Sequence, residues 1–206
     1  MTQYFNIHPT NPQERLIQQV IDVLNEGGVI AFPTDSAYAL GCRLGDKDAI
    51  ERIRRLRALD KNHNFTLMCH DLSQLANYAR VDNPSFRLLK AYTPGPYTFI
   101  LIATKEVPRG LQHPKRKTIG LRVPDHPLAL ALIAMHGSPL ISVTLILPDS
   151  EVPVADVNEI KEFLDGKVDA VIDAGNGDLQ PTSIVDLTSG APEVLRVGKG
   201  DVSAWL

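Results

Sequence analysis

Four short segments of the sequence carry polar or charged side chains that a purely structural domain would not need. The first spans residues 33–41 (PTDSAYALG) and directly follows a short apolar run. Hydroxyl side chains at the carboxyl end of a buried strand are well placed to bind a small polar ligand. The alternative interpretation is a plain turn in which Asp35 bonds its own backbone. The residue types alone leave both interpretations open.

A second segment, residues 115–124 (KRKTIGLRVP), places Arg122 inside an otherwise apolar strand pattern. An unpaired guanidinium would be costly to remove from water there, so Arg122 requires an anionic partner. A carboxylate or phosphate that accepts two parallel hydrogen bonds suits its planar fork. The partner is either an internal Asp or Glu or a bound ligand, and both remain open.

The two remaining segments are weaker indications of a site. Residues 93–98 (TPGPYT) form a stiff turn before a strand, and the structural interpretation is favoured here because Pro and Gly shape the chain. Residues 182–186 (TSIVD) and 196–198 (RVG) place a hydroxyl pair and an arginine near the chain end. These could close over the same ligand as the first two segments.

Standard catalytic and metal-binding motifs are absent from the chain. It contains no GxxxxGK(S/T) or GxGxxG phosphate loop, no HExxH and no GxSxG. Its six histidines are scattered, and Cys42 and Cys69 lack a metal-type spacing. We therefore predict two buried thiols and no metal site built by the protein.

The composition is that of a folded protein of one domain. The chain has 206 residues, is 44% hydrophobic and 22% charged, and carries a formal net charge of −3. It has no apolar run of about 18 residues, and its first ten residues lack the regions of a signal peptide. We expect a cytoplasmic protein with no membrane association.

Positive charge is concentrated in two windows. Residues 52–61 contain five Lys or Arg against one Asp, and residues 105–122 contain six against one Glu. The two windows carry a net +9 and the rest of the chain −12. This segregation predicts one surface that faces a polyanion, if the fold brings the windows together. The alternative is two separate solvated faces.

Helix and strand patterns alternate along the chain. Asn11–Glu14 is typical of a capping pattern that opens a helix, and Gly27 and Gly28 end that helix. The other predicted helices are about 48–58, 71–78, 84–91, 127–135 and 156–164, and the predicted strands are 29–32, 65–69, 97–103, 119–123, 140–147, 169–173, 183–187 and 193–197. Because the later connections are too short for parallel crossovers, we predict one α/β domain with a mixed parallel and antiparallel sheet.

The order of these segments resembles the YrdC-like family. A helix ending in GG is followed by FPTDSAYALG, a basic helix, TPGPYT, TIGLRVPDHP, PLISVT, PTSIVDL and LRVG, over about residues 10–200. The resemblance implies one domain over residues 1–206, with an open twisted sheet and a basic concave face. Family members of defined activity are L-threonylcarbamoyladenylate synthases. They condense threonine, bicarbonate and ATP into threonylcarbamoyl-AMP and pyrophosphate, for the tRNA modification threonylcarbamoyladenosine.

The resemblance also implies partners and residue roles. It implies Mg²⁺ accompanying ATP, and double-stranded RNA or tRNA as a further partner. Residues assigned to the substrate are Thr34, Ser36, Tyr38, Thr118 and Ser183, those assigned to the nucleotide are Asn64, Arg122 and Arg196, and the catalytic assignments are Arg57, Arg122 and Thr144. The RNA-binding candidates are Arg54, Arg55, Lys61, Arg109, Lys115, Arg116 and Lys117.

Two positions depart from the synthase pattern. Where synthases carry KxR at the end of the basic helix, this chain has Arg57-Ala58-Leu59, and where they carry SxN it has Thr144-Leu145-Ile146. One cation and one amide are thereby replaced by aliphatic side chains on the side of the pocket that handles phosphates. Three hypotheses remain open: an enzyme acting on a nucleotide or acyl-adenylate, an RNA-binding module with a vestigial pocket, and a structural partner without a ligand.

Overall fold

The computed structural model describes all residues from Met1 to Leu206. Its helices are α1 (Glu14–Asn25), α2 (Lys47–Leu56), α3 (Leu72–Tyr78), α4 (Asn83–Tyr92), α5 (Pro127–His136) and α6 (Val157–Leu164). Its strands are β1 (Gln3–Asn6), β2 (Ile30–Phe32), β3 (Ala39–Arg43), β4 (Thr66–Met68), β5 (Tyr97–Ile102), β6 (Thr118–Arg122), β7 (Leu140–Thr144), β8 (Ala170–Asp173), β9 (Ser183–Asp186) and β10 (Glu193–Arg196). None of the helices combines the length and hydrophobicity needed to cross a bilayer.

All ten strands form one sheet, in the order β1-β8-β2-β3-β7-β4-β6-β5-β9-β10. The pairs β1–β8, β8–β2, β4–β6 and β5–β9 are parallel. The other neighbouring pairs are antiparallel. The predicted single α/β domain with a mixed sheet is therefore confirmed.

The helices cover the two faces of the sheet unequally. On one face, α2, α3, α4 and α6 pack over the larger core, which contains Ile53 and Phe99. On the other face, α1 and α5 form a smaller core, including Leu24 and Leu132, with side chains from β1, β2, β3, β4, β7 and β8 only. The same face of β5, β6 and β9 is left without a covering helix. This uncovered half of the sheet forms the base of a cleft.

Two strands have no counterpart in the sequence prediction. β1 is a four-residue edge strand that pairs in parallel with β8, more than 160 residues away along the chain. β3 (ALGCR) lies at the end of the segment interpreted as a ligand loop, and it pairs with β2 and β7. Neither strand has a strong intrinsic β pattern. Such short strands form because they pair with strands that are distant along the chain.

The predicted helix caps have mixed outcomes. Asp71 and Asp156 accept hydrogen bonds from backbone amides of the first turns of α3 and α6, as predicted. The capping prediction at Asn11 is wrong: α1 begins at Glu14, and Gln13 at its N-cap makes no side-chain bond. The amide of Asn11 instead donates to Nδ1 of His8 at 3.0 Å, so these residues form a separate turn before the helix.

The two cysteines are free and buried, as predicted. Burial raises the pKa of the Cys42 thiol and of the Cys69 thiol to about 12. Both are therefore neutral thiols at physiological pH, without the thiolate character that a nucleophile or metal ligand needs.

The end of α2 explains why Leu59 is apolar. The amide of Ala58 donates to the Arg55 carbonyl, and the amide of Leu59 donates to the Arg54 carbonyl at 2.9 Å. These are the two bonds of a Schellman motif, in which an apolar residue at the second position past the cap packs back on the helix. Leu59 accordingly packs against the larger core. Its side chain stabilises the helix end and does not line the cleft.

Ala58 has a φ of 51°, in the left-handed region that favours glycine. We expect Ala58→Gly to raise the free energy of unfolding by about 0.5–1 kcal/mol, because the relief of Cβ strain exceeds the added entropy of the unfolded chain. Urea denaturation measures the change. Ala134→Gly, on the exposed part of α5, is the matched control and should lower stability. A loss of stability in both variants would contradict this explanation.

Candidate functional site

The base of the cleft is a row of small side chains on adjacent strands. Ser142 of β7 lies opposite Thr66 of β4, which lies opposite Gly120 of β6. Because side chains alternate along strands, these residues and Thr98 of β5 face the open side, while neighbours such as Phe99 face the core. A Cβ atom at position 120 would lie 3.2 Å from Cγ2 of Thr98, so glycine leaves the backbone of β6 uncovered by a side chain at this point. A ligand can thus approach the sheet backbone closely.

Three arginines from three different elements line the cleft above this base. Arg57 follows α2, Arg122 is the last residue of β6, and Arg196 is the last residue of β10. The cavity has a volume of about 430 Å³, and Glu151 is the only carboxylate among its lining residues. The cleft is therefore cationic and suits an anionic ligand.

Arg122 is buried and is held by the loop of residues 34–36. Its guanidinium donates to the Asp35 carboxylate through Nη2 and to Oγ of Ser36 through Nη1 at 3.3 Å. The second carboxylate oxygen of Asp35 accepts a hydrogen bond from the Asp125 amide at 2.8 Å. Burial lowers the pKa of Arg122, and the charge of Asp35 opposes that shift. Nε of Arg122 is buried and has no hydrogen-bond partner.

These contacts decide between the interpretations of the first two segments. The internal carboxylate partner of Arg122 exists, and it is Asp35. The interpretation in which Asp35 bonds its own backbone is wrong; the turn is instead made by Thr34, whose Oγ1 donates to the Ala37 carbonyl at 2.7 Å. Lys199 fastens the same loop by donating to the Asp35 carbonyl at 2.6 Å.

A β-bulge turns Arg196 toward the cleft. Val194 pairs with Val185 and Arg196 pairs with Ile184, so Leu195 is an extra residue in β10. Without the bulge, strict alternation would turn the Arg196 side chain to the core face. With it, Leu195 and Arg196 both reach the open face of the sheet.

Hydrogen bonds then fix the orientation of the Arg196 side chain. Its Nε donates to the Thr182 carbonyl at 2.9 Å, and Nη2 donates to Oγ1 of Thr182 at 3.0 Å. The Thr182 hydroxyl also lies 2.9 Å from the hydroxyl of Thr98 in the base. Burial lowers the pKa of Arg196, and the nearby charge of Arg122 lowers it further. An anion bound between the two arginines would relieve this repulsion.

A hydrogen bond of Arg57 joins the two segments that depart from the synthase pattern, residues 57–59 and 144–146. Its Nε donates to the carbonyl of Thr144 at 2.6 Å, so the end of α2 is joined to the end of β7. Burial lowers the pKa of His63 in the same wall, and the Arg57 charge adds to the effect. Ile146 also lines the cleft. Of the two aliphatic replacements, only Ile146 faces the ligand space.

The cleft opens into a neighbouring groove with a volume of about 460 Å³. Asn64, Thr66, Thr98 and Ile184 line both cavities, so the two are continuous. The other groove residues that matter here are the apolar Ile100, Leu111 and Leu195, the amide-bearing Asn62, and Thr118. Asp60 is the only charged residue that lines the groove, which therefore suits an uncharged planar group with a polar edge.

Most of the predicted site residues lie close together. Arg57, Asn64, Arg122, Thr144 and Arg196 line the cleft, and Thr118 lines the groove. Thr34 and Ser36 lie beside the Arg122–Asp35 pair, where they face an open depression that also contains His126. The functional roles of these residues remain predictions.

Tyr38 and Ser183 lie elsewhere than predicted. The Tyr38 side chain is fully buried, and its hydroxyl donates to the Gly175 carbonyl at 2.7 Å. Oγ of Ser183 donates to the Gly200 carbonyl at 2.6 Å and accepts from the Gly198 amide. Both hydroxyls hold loops together and point away from the cleft. In the second case the preceding residue, Thr182, is the one whose hydroxyl reaches the cleft.

The two basic windows meet at the groove, which residues from both of them line. Several of their charges are nevertheless neutralised within the protein. Arg54 and Arg55 pair with Glu51, and Arg116 pairs with Asp186 at 2.5 Å. The candidates Lys61, Arg109, Lys115 and Lys117 are exposed and form no ion pair. Binding of double-stranded RNA by this surface stays a prediction.

Sequence reasoning missed the residues at the base of the cleft. Thr66 and Ser142 lie inside predicted strands and were not assigned to the site, and Thr182 was named only as part of the weaker segment 182–186. The signal that could have found them is a small polar residue at every second position of a strand that is otherwise apolar. That pattern indicates a strand with one dry face and one open face.

The cleft has no preformed metal cage, because no group of three or more His, Cys, Asp or Glu side chains is arranged to hold a cation. A cation that accompanied a ligand here would have to be held mainly by the ligand and water, with Glu151 as the one carboxylate at hand. Mg²⁺ bound to phosphates has this preference for few protein ligands and several waters.

Comparison with known proteins gives the family. A model of the Sua5/YciO/YrdC family, described as telomere recombination, matches residues 22–198. The chain belongs to this family. It is 54% identical to the uncharacterized protein YciO of Escherichia coli K12 over 206 residues, the full length of both chains. Within the Sua5/YciO/YrdC family it is also 34% identical to the threonylcarbamoyl-AMP synthase of Halorhodospira halophila, over 82% of this chain and 88% of the synthase.

Solved structures of the Sua5/YciO/YrdC family have the same fold. The crystal structure of E. coli YciO matches with a TM-score of 0.96 over the whole of both chains. The crystal structure of P. abyssi Sua5 complexed with L-threonine matches with a TM-score of 0.87 at 26% identity, over 96% of this chain and 58% of the Sua5 chain. These matches confirm the family resemblance and the predicted fold.

Proposed function

We propose that the cleft and groove bind an adenine nucleotide or acyl-adenylate, and that the protein acts on threonylcarbamoyl-AMP or its precursors. The observation that carries this proposal is the convergence of Arg57, Arg122 and Arg196 on one cleft that continues into an apolar groove. Guanidinium groups suit phosphates, and an apolar groove with amide groups suits a nucleobase. Relatives named threonylcarbamoyl-AMP synthase support the same ligand class.

The amino-acid end of the ligand is assigned to the loop that holds Arg122. Thr34 and Ser36 present hydroxyls there, and Ser36 already accepts a hydrogen bond from Arg122. The complex of P. abyssi Sua5 with L-threonine supports an amino-acid end for the ligand of this protein as well. Phosphates bound to the arginines and an amino acid bound to the hydroxyls would lie on the two sides of Arg122.

Catalysis in such a site rests on positioning and on charge neutralisation. An oxygen of the carbamate group of N-carboxylated threonine attacks the α-phosphorus of ATP, the bond from that phosphorus to the bridging oxygen breaks, and pyrophosphate leaves with the electron pair. Arg57, Arg122 and Arg196 stabilise the charge that develops on the phosphoryl oxygens. No general base is required, because the carbamate is already an anion. Mg²⁺ on the phosphates would supply further charge neutralisation, with the phosphates and water as its main ligands.

Mass spectrometry of the reaction products tests the proposed function. The purified protein is incubated with ATP, threonine and bicarbonate, and separately with threonylcarbamoyl-AMP. We expect threonylcarbamoyl-AMP to form in the first mixture or to be consumed in the second, and the Arg196→Ala variant to be at least about tenfold slower in either. If the nucleotides remain unchanged in both mixtures at high protein concentration, the protein does not act on this adenylate.

The replacement of an amide by Ile146 is expected to limit the synthase reaction. Ile146 lines the cleft, so Ile146→Asn returns a polar group to the ligand space. One added hydrogen bond to a charged phosphate contributes about 1.5 kcal/mol or more, and we expect pyrophosphate release to rise about tenfold. A coupled pyrophosphate assay measures it, with Ile146→Val as the matched control. Equal rates in the two variants would show that position 146 does not limit the reaction.

A further inference from the structure

We propose that the cleft also accepts adenylates that carry a short, branched aliphatic acyl group, which packs on one apolar wall of the cleft. This apolar wall is defined here as Ile146, Val152, Pro153, Leu179 and Pro181, all of which line the cleft. The inference rests on the proposed function for the position of the phosphate, and it adds a substrate class to that proposal.

The apolar wall presents aliphatic side chains that the protein itself covers only in part. Val152 is 53% exposed and Leu179 is 56% exposed, although both are large apolar residues. Removal of such surface from water is favourable, so a ligand with apolar groups gains affinity where it covers these side chains. Ligand pockets typically combine apolar surfaces of this kind with a few charged groups that fix the orientation of the ligand.

Backbone contacts hold the two loops of the apolar wall side by side. Ile146 and Pro153 form an isolated antiparallel bridge, so the residues between them make a short hairpin. Just beyond this hairpin, the Ala155 carbonyl accepts a hydrogen bond from the Gly177 amide at 2.8 Å. That bond joins the hairpin to the loop that carries Leu179. The two halves of the wall are therefore neighbours in a fixed arrangement.

The apolar wall begins beside two of the arginines that are assigned to the phosphate. Arg57 donates to the backbone carbonyl two residues before Ile146. Arg196 donates to the backbone carbonyl of the residue that directly follows Pro181. In an acyl-adenylate the acyl group is bonded to an oxygen of the phosphate. A phosphate held by these two arginines therefore brings its acyl group to the edge of the wall.

The composition of the apolar wall favours an uncharged aliphatic acyl group. None of its side chains carries a hydrogen-bonding group, and the residue next to Val152 is Glu151, the only carboxylate that lines the cleft. A carboxylate on the acyl group would be repelled there, whereas an aliphatic chain would not. The threonylcarbamoyl group has one methyl as its only apolar end and leaves most of the wall exposed. Because the cavity of about 430 Å³ must also hold the phosphate, the acyl chain has to be short.

Stable analogues of acyl-adenylates test this inference. The probes are AMP and adenosine analogues in which an N-acylsulfamate replaces the acyl phosphate, with acetyl, 3-methylbutanoyl or 3-hydroxybutanoyl as the acyl group. We expect calorimetry to show the 3-methylbutanoyl analogue binding at least about tenfold more tightly than the acetyl analogue, because its further carbons are removed from water. The 3-hydroxybutanoyl analogue, in which a hydroxyl replaces one methyl, should bind at least about threefold more weakly than the 3-methylbutanoyl analogue.

A double variant of the apolar wall shows where the acyl group lies. Val152→Ser with Leu179→Ser changes two side chains that are more than half exposed and lie outside both cores. In this variant the 3-methylbutanoyl and acetyl analogues should bind with affinities within about threefold of each other. The control, Met135→Ser with Leu206→Ser, removes two exposed apolar side chains that line neither the cleft nor the groove. The control should keep the full difference between the two analogues.

The outcomes separate this inference from the proposed function. If AMP and the acetyl analogue bind and the 3-methylbutanoyl analogue binds no more tightly, the aliphatic subsite is wrong and the nucleotide site stands. If neither AMP nor any analogue binds, the proposed nucleotide site is wrong, and this inference fails with it. A preference for the 3-methylbutanoyl analogue that survives in the Val152 and Leu179 variant, or that is lost equally in the control, would show that the acyl group does not lie on the apolar wall.

Discussion

Replacing Arg122 by methionine is expected to lower the free energy of unfolding by about 3–5 kcal/mol. The side chains of Arg122 and Asp35 are only 7% and 8% exposed, so the substitution leaves a buried carboxylate without its cation. The Asp125 amide remains as a partner of Asp35, but one hydrogen bond does not replace the lost charge. Urea denaturation of the two proteins measures the difference.

A double-mutant cycle identifies the source of this loss. Asp35→Asn in the Arg122→Met background removes the orphaned charge and should restore part of the stability, giving a coupling energy of at least about 1 kcal/mol. Arg52 and Asp169 form an ion pair with 41% and 40% exposure, and the same cycle there should give a coupling below about 1 kcal/mol. Equal coupling energies for the two pairs would contradict the role given to burial.

Removal of Arg57 or Arg196 is expected to weaken nucleotide binding by about 10- to 100-fold for each change. Nε of each guanidinium donates to a protein carbonyl, and Nη2 of Arg196 also donates to Thr182, which leaves both terminal amino groups of Arg57 and Nη1 of Arg196 free for a ligand. Each charged hydrogen bond to phosphate contributes about 1.5–3 kcal/mol. Calorimetric titration of AMP into Arg57→Ala and Arg196→Ala gives the two affinities.

The control for these variants is Arg55→Ala, on the same helix as Arg57. Its side chain is 77% exposed and pairs with Glu51 on the outer surface of α2. It carries the same charge but does not line the cleft. If Arg55→Ala weakens AMP binding as much as Arg57→Ala, the effect is one of general charge, and the arginines do not bind the phosphate directly.

The position of Arg122 could be predicted from the sequence because strand alternation is local. In residues 118–122 (TIGLR), every second side chain is polar or absent, so one face of β6 had to be open or bound to a partner. The arginine inside this pattern required an anion, and the sequence order of the segments indicated the family. The cleft arises from the same alternation repeated on neighbouring strands.

The remaining features depend on contacts that local patterns do not encode. Arg196 reaches the cleft only because of the bulge at Leu195, and a bulge is specified by the pairing of β9 with β10. The choice of Asp35 as the partner of Arg122 joins residues 87 positions apart. Ser183 was assigned to the ligand one residue away from Thr182, because the facing of a short strand changes with a single step of register.

The structural role of Leu59 is a further case of this kind. The synthase motif has a cation at the position of Leu59, and from the motif alone that cation is expected to contact the ligand. In the structure it is the apolar residue of the Schellman motif that ends α2, and it packs on the core. The departure at position 59 therefore follows from how the helix ends, whereas the departure at Ile146 changes the lining of the cleft.

A crystal structure of the protein with AMP tests the central claim most directly, because it shows where the phosphate lies. We expect the phosphate oxygens within hydrogen-bond distance of the guanidiniums of Arg122 and Arg196, and the adenine in the groove between Leu111 and Leu195. A phosphate bound away from these two arginines, with the cleft empty at saturating AMP, would contradict the assignment of the cleft as a nucleotide site.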